Sequence, residues 1–301
     1  MNGLIAATYA PMHNDTSLNV DMIPLYGEFL TQNGVKGAFI NGSTGDFVSL
    51  STEERKVLAE AWGKIKSQHL FVIDHVGHTS IDVAKDLAKH SANFVDGIAA
   101  IAPFYFRLSH LDKLVEYCKE IAACAPNIPF YYYHIPELSG ATFSMADFLE
   151  LATPQIPNLG GIKFTNNNMV DYQYAKDFNK GSANILFGFD EIFLSSLPYG
   201  ASGWVGSTYN HLAPLYLSIL SAFKNGNHEL AAGLQQKSME FVDLLNGNGG
   251  FNGAAKSFMK VLGVDCGPSR FPHTTLSDLQ INEIIERLEL LGITPYLSKL
   301  E

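Results

Sequence analysis

Cysteine is scarce in this 301-residue chain: Cys118, Cys124 and Cys266 are an odd number, with no CxxC pair and no metal-ligand spacing. A disulfide framework is therefore not expected, and a reducing, cytoplasmic location is. Charge is thin as well. Charged residues make up 17% of the total, and thirty acids against twenty bases leave a formal net charge of −10. A nucleic-acid binder of this size needs the opposite sign. Long hydrophobic runs are missing: the longest, Gly97 to Phe106, contains Pro103 and ends at Arg107. That is short of the roughly 20 apolar residues of a membrane span. The opening stretch, Met1-Asn2-Gly3-Leu4-Ile5-Ala6-Ala7-Thr8, carries no basic region, so no signal or transit peptide is expected.

What the chain does have is apolar residues, 47% of the total, enough to bury a large core. They recur as short β-branched or aromatic runs, each followed by a polar or glycine-containing break and then a stretch of helical period. Eight strands are predicted: Gly3 to Thr8, Gly37 to Ile40, Leu70 to Asp74, Gly97 to Ala102, Pro129 to Tyr133, Gly160 to Phe164, Asn184 to Phe187 and Gly203 to Val205. Helix starts are marked by Ser51-Thr52-Glu53-Glu54 and Ser277-Asp278-Leu279-Gln280, both with capping-box spacing, and by Ser144 with Asp147 in the first turn. Eight such units in succession predict an α/β fold of the (β/α)8, or TIM, barrel type. No GxGxxG follows the first strand, which argues against an open dinucleotide-binding sheet. His228 to Leu245, Gly253 to Leu262 and Asp278 to Leu291 predict three additional C-terminal helices. The expected division is a barrel over 1–223 and a helical appendage over 224–301, packed on the barrel.

In such a barrel the chemistry sits at the C-terminal ends of the strands. Asn41-Gly42-Ser43-Thr44-Gly45-Asp46 follows the second strand and can offer backbone N–H groups and hydroxyls to an anion, or serve as a tight turn. Lys163 lies within the apolar sixth strand. Desolvation there favours the neutral amine that attacks a carbonyl, unless the side chain snorkels out to solvent. Tyr133 ends the fifth strand. Neighbouring strands are about 4.8 Å apart, so an inward Tyr133 can reach Lys163 as a proton shuttle; otherwise it packs, as Tyr131 and Tyr132 are expected to do. His75-Val76-Gly77-His78 lacks a third ligand and reads as structural, so no metal is expected.

With these groups on strands two, five and six, the sequence resembles the N-acetylneuraminate lyase and dihydrodipicolinate synthase family of class I aldolases over nearly its whole length. Gly42-Ser43-Thr44-Gly45-Asp46 is similar to the family's pyruvate-carboxylate loop, Tyr133-His134-Ile135-Pro136 to its catalytic tyrosine motif, and Gly161-Ile162-Lys163 to its Schiff-base strand. Gly188-Phe189-Asp190-Glu191 and Gly206-Ser207-Thr208-Tyr209-Asn210 resemble the neuraminate-cleaving branch. The resemblance implies Lys163, Tyr133, Ser43 and Tyr105 as catalytic residues, with Tyr105 inserted into a neighbouring subunit's site. It implies Ser43 and Thr44 as carboxylate contacts, and Thr165, Gly188, Asp190, Glu191, Ser207 and Phe251 as sugar contacts. It also implies reversible cleavage of N-acetylneuraminate to N-acetylmannosamine and pyruvate, no cofactor beyond the Schiff base on Lys163, no nucleic-acid or membrane partner, and a tetramer.

The chain departs from the family pattern at Asp46, where many relatives have glutamate, at Glu137, where lyases often have alanine, and at Trp204, where a smaller residue is common. Glu137-Leu138-Ser139-Gly140 offers no arginine for a semialdehyde carboxylate, which disfavours lysine biosynthesis. The competing readings are an aldolase for another 2-keto-3-deoxy sugar acid, a non-catalytic pyruvate or sugar-acid sensor, and a phosphate-handling barrel using the loop around Ser207.

Overall fold

The computed structural model describes residues 2–300; Met1 and Glu301, the outer limits of the two expected segments, lie outside the described residues. Eight parallel strands close into a barrel in chain order: β1 (Gly3–Ala7), β2 (Gly37–Ile40), β3 (Phe71–His75), β4 (Gly97–Ile101), β5 (Phe130–His134), β6 (Leu159–Phe164), β7 (Asn184–Phe187) and β8 (Gly203–Gly206). The predicted strands coincide with these to within about a residue at each end. Where they differ, the ladder decides. The third strand runs on to His75, which pairs with Ala99, and the eighth to Gly206, which pairs with Ala6.

Alternation along each strand divides the apolar residues into two layers. Ile5, Phe39, Ile73, Ala99, Tyr131, Leu186 and Val205 fill the barrel interior, whereas Tyr132, Ile162 and Trp204 face the surrounding helices. The helices begin where the caps predicted. Ser51 and Ser277 form complete capping boxes on Thr52–Ile65 and Asp278–Leu290, and Ser144 accepts from the Asp147 N–H on Met145–Ala152. Each cap contributes about 1 kcal/mol.

After β8 the helix Tyr209–Lys224 leads into His228–Asn246, Phe251–Phe258 and Asp278–Leu290. The second of these starts two residues ahead of the predicted Gly253, because the Asn246 side chain accepts from the Phe251 N–H. It tightens into a 3₁₀ turn over Met259–Leu262 instead of continuing as one helix. These elements are tied to the barrel by side chains: Gln235 accepts from the Leu194 N–H, and the His211 ring donates to the Ala255 carbonyl. No described helix is long and apolar enough to cross a membrane.

Candidate active site

The position of Lys163 depends on an irregularity between β5 and β6. Phe130 pairs with Leu159, but Tyr131 pairs with Gly161, so β6 carries one extra residue at this point. Had the first register continued, Tyr133 would face Ile162. The shift makes Lys163 its partner, and because side chains alternate across a strand, that one residue brings the amine into the barrel. Gly161 permits the bulge: its φ is +146°, and a Cβ there would lie 1.9 Å from the Asn184 carbonyl oxygen. Lys163 is 5% exposed, with Nζ 3.6 Å from the Tyr133 ring centroid and 4.4 Å from that of Phe39. The snorkelling alternative is excluded by this burial.

Residues 41–47 form the loop after β2. Asn41 and Asp46 both have left-handed φ values, 54° and 52°. The loop is built on a buried polar layer: Asn41 donates to Asp74 Oδ1 at 2.8 Å, Ser91 donates to Asp74 Oδ2, and Arg55 donates to the carbonyls of His75 and Gly77. Burial pushes the Asp74 carboxyl up to about 6, against the opposing hydrogen bonds and the Arg55 charge. His75 is held neutral by burial. Its Nε2 accepts from the Ile101 N–H, so its Nδ1 donates to the Asn41 carbonyl. His78 accepts from the Ser80 N–H, and among the described residues no group of three or more metal-ligating side chains comes together. On this support Ser43 Oγ lies 3.4 Å from the Tyr133 hydroxyl, while the N–H groups of Ser43 and Thr44 have no partner among the described residues.

Asp190 and Glu191 open the turn after β7. Thr208 donates to Asp190 Oδ2 from both its N–H, at 3.0 Å, and its hydroxyl, at 2.6 Å. Burial raises the Asp190 carboxyl, opposed by these two bonds. Gly206 makes room for it, since a Cβ there would lie 1.8 Å from Asp190 Oδ1. Burial is also the main cause that brings Glu191 up to about 7, with the Asp190 charge second.

These groups surround a cavity of about 230 Å³ at the C-terminal mouth of the barrel, lined by Thr44, Tyr133, Lys163, Thr165, Gly188, Asp190, Glu191 and Ser207. Eight of the residues expected from sequence are thus brought together. Ser43 joins them through Tyr133. Two buried atoms of these residues, Thr165 Oγ1 packed against Gly188 and Asp190 Oδ1 packed against Gly206, have no hydrogen-bond partner among the described residues. The cavity lining itself offers hydroxyl and carboxyl groups from Thr165, Asp190, Glu191 and Ser207, which suit a hydroxylated ligand.

Besides Ser43, two expected residues do not line the cavity. Tyr105 is 79% exposed and stacks edge-on against Phe106. Phe251 packs partly buried against the core, and it is its neighbour Asn252 that reaches the loop, donating to the Ser43 carbonyl. Of the departures, Glu137 lines the cavity. Trp204 does not: it points out of the barrel, donates to Ser196 Oγ and packs on Phe193. Glu137 and Phe189 were not read as site residues from sequence, although Glu137 stood out as a departure and Phe189 lies beside Asp190.

The dihydrodipicolinate synthetase family model matches residues 1–290. N-acetylneuraminate lyase A of Xenopus laevis is 40% identical over 276 residues, covering 90% of this chain and 90% of that protein. The N-acetylneuraminate lyase of Homo sapiens is 39% identical over 279 residues, covering 90% and 87%. Among solved structures, Proteus mirabilis N-acetylneuraminate lyase superposes with a TM-score of 0.93 at 36% identity, covering 97% of this chain and 99% of that one.

Proposed function

From the premise that the chain belongs to the dihydrodipicolinate synthetase family, we propose that it is a Schiff-base aldolase cleaving N-acetylneuraminate reversibly to N-acetylmannosamine and pyruvate. Lys163 adds to the ketone carbon of the open-chain sugar acid and loses water to give an iminium. Tyr133 takes the proton of the hydroxyl on the carbon that becomes the aldehyde. The carbon–carbon bond breaks, its electron pair moves into the iminium, and the resulting enamine is protonated and hydrolysed to pyruvate, regenerating the amine. Because the iminium is the electron sink, the reading assigns no metal or cofactor.

Ser43 and Thr44 hold the carboxylate, the free N–H groups of their loop supplying further donors. Thr165, Gly188, Asp190, Glu191 and Ser207 receive the polyol tail, and Phe251 acts only indirectly, as the start of the helix behind the loop. The exposure of Tyr105 fits a side chain that completes the site of a neighbouring subunit, and we assign the tetrameric form and a cytoplasmic location on the same reading. The division into a barrel over 1–223 and an appendage over 224–301 is part of this proposal.

The observation that carries it is Lys163 beside Tyr133 in a cavity lined by the hydroxyl- and carboxyl-bearing side chains of Thr165, Asp190, Glu191 and Ser207, which suit a hydroxylated ligand. The test is pyruvate release from N-acetylneuraminate and a panel of other 2-keto-3-deoxy sugar acids. Preferred turnover of N-acetylneuraminate supports the assignment. Turnover of another member alone moves it to the alternative aldolase, and release from none of them refutes it.

A further inference from the structure

The loop carrying Ser43 and Thr44 is not held by the barrel alone. The Ser43 carbonyl accepts two hydrogen bonds. One comes from the Asp46 N–H inside the turn at 3.1 Å, and the other, also 3.1 Å, from the side-chain amide of Asn252, 209 residues further along the chain. Two more contacts come from the same C-terminal segment: Arg270 donates to the Ser49 carbonyl at 2.9 Å, and His273 approaches Asp46 Oδ1 at 3.6 Å.

The element that presents Asn252 is rigidly seated. Gly253 lies so close to the following segment that a Cβ there would be 2.2 Å from the Thr274 carbonyl oxygen. Ser257 accepts from the Leu276 N–H, Lys256 donates to the Pro268 carbonyl at 2.7 Å, and the Ala255 carbonyl accepts from the His211 ring. A donor held on a fixed helix determines where the carbonyl it binds can sit. The Ser43 carbonyl and hydroxyl belong to one residue, so fixing the first limits the reach of the second toward Tyr133.

We infer that Asn252 is a positioning residue, which sets Ser43 from the C-terminal helix and through it the Tyr133 hydroxyl. The inference rests on the aldolase reading above. Asn252 touches no substrate; its effect passes through Ser43. Removing its donor leaves the loop carbonyl to the Asp46 N–H alone, lets Ser43 drift from Tyr133, and lowers turnover without unfolding the chain.

The test is a double-mutant cycle with Asn252→Leu and Ser43→Ala, read as kcat and KM on the sugar acid alongside the melting temperature. Asn252→Leu is expected to lower kcat/KM about tenfold, the scale of one lost hydrogen bond, with little change in melting temperature. If Asn252 acts through Ser43, the double variant is no slower than Ser43→Ala alone. Multiplying effects in the double variant, or a lowered melting temperature with unchanged kcat/KM, overturns the role. Should Asn252→Leu fail to fold, Asn252→Asp keeps the shape while replacing the donor by an acceptor, and the same comparison applies. Native protein that forms no reducible adduct with pyruvate overturns the aldolase reading and this role with it, whereas an adduct with no Asn252 effect overturns the role alone.

Discussion

Tyr133 and Lys163 are register partners on β5 and β6, with the Lys163 amine 3.6 Å from the centre of the tyrosine ring. The pair divides the work: an amine to bond the ketone, and a phenol to move the proton. Tyr133→Phe keeps the ring beside the amine and removes only the hydroxyl. It is expected to lower kcat by roughly a hundredfold or more, the usual share of a general acid–base group, while a pyruvate adduct on Lys163 still forms. Steady-state kinetics and adduct mass together check this. A variant that loses the adduct as well assigns Tyr133 to Schiff-base formation instead.

Gly206 and Asp190 are matched by contact. Gly206→Ala would set a methyl group against Asp190 Oδ1 and force the carboxylate off Thr208, breaking two bonds in a buried place. A destabilisation of about 2–4 kcal/mol is expected, seen in denaturant unfolding, together with a raised KM for the sugar acid. An alanine variant of parental stability and KM contradicts the role given to this carboxylate.

Glu191 makes stability depend on pH in a defined direction. Its carboxyl titrates near 7 in the folded chain against an ordinary value of 4.5, with burial the main cause. Below 4.5 the group is protonated whether the chain is folded or not. Between 4.5 and 7 the unfolded chain ionises first, so stability falls across that window and stays reduced above it. Glu191→Gln removes the penalty. The variant is expected to be more stable than the parent at pH 8, by on the order of 1–2 kcal/mol, and equal to it near the ordinary glutamate value. Melting curves at the two pH values decide, and a constant difference would count against it.

Tyr105 is exposed on a single chain, which suits a residue that serves another copy. Mixing inactive Lys163→Ala subunits with Tyr105→Ala subunits, after mild dissociation and reassembly, is expected to restore part of the activity. Each mixed contact can then join an intact lysine to an intact tyrosine. Reassembled mixtures with no gain over the separate variants place Tyr105 outside the site.

Much of this was readable from residue order because strand period and cap chemistry are local. The eight strands fell within about a residue of the observed ends, and Ser51, Ser144 and Ser277 start helices as their side chains allow. Lys163 was legible as a charge inside an apolar run, but the bulge that brings it opposite Tyr133 was not. It arises from pairing between strands, and a strand's own alternation does not reveal it. Asn252 was missed for the same reason. The family resemblance points to its neighbour Phe251, while the bond to Ser43 spans 209 residues and leaves no local mark. Arg55 sits in an ordinary-looking charged helix start, and only the closed barrel turns it inward to the carbonyls of His75 and Gly77.

The central claim is that Lys163 forms a Schiff base with pyruvate, and borohydride trapping followed by peptide mass spectrometry tests it most directly. The account predicts a reduced pyruvyl adduct on the peptide containing Lys163, absent from Lys163→Met. Folded protein that is reduced in the presence of pyruvate and returns an unmodified Lys163 would contradict it.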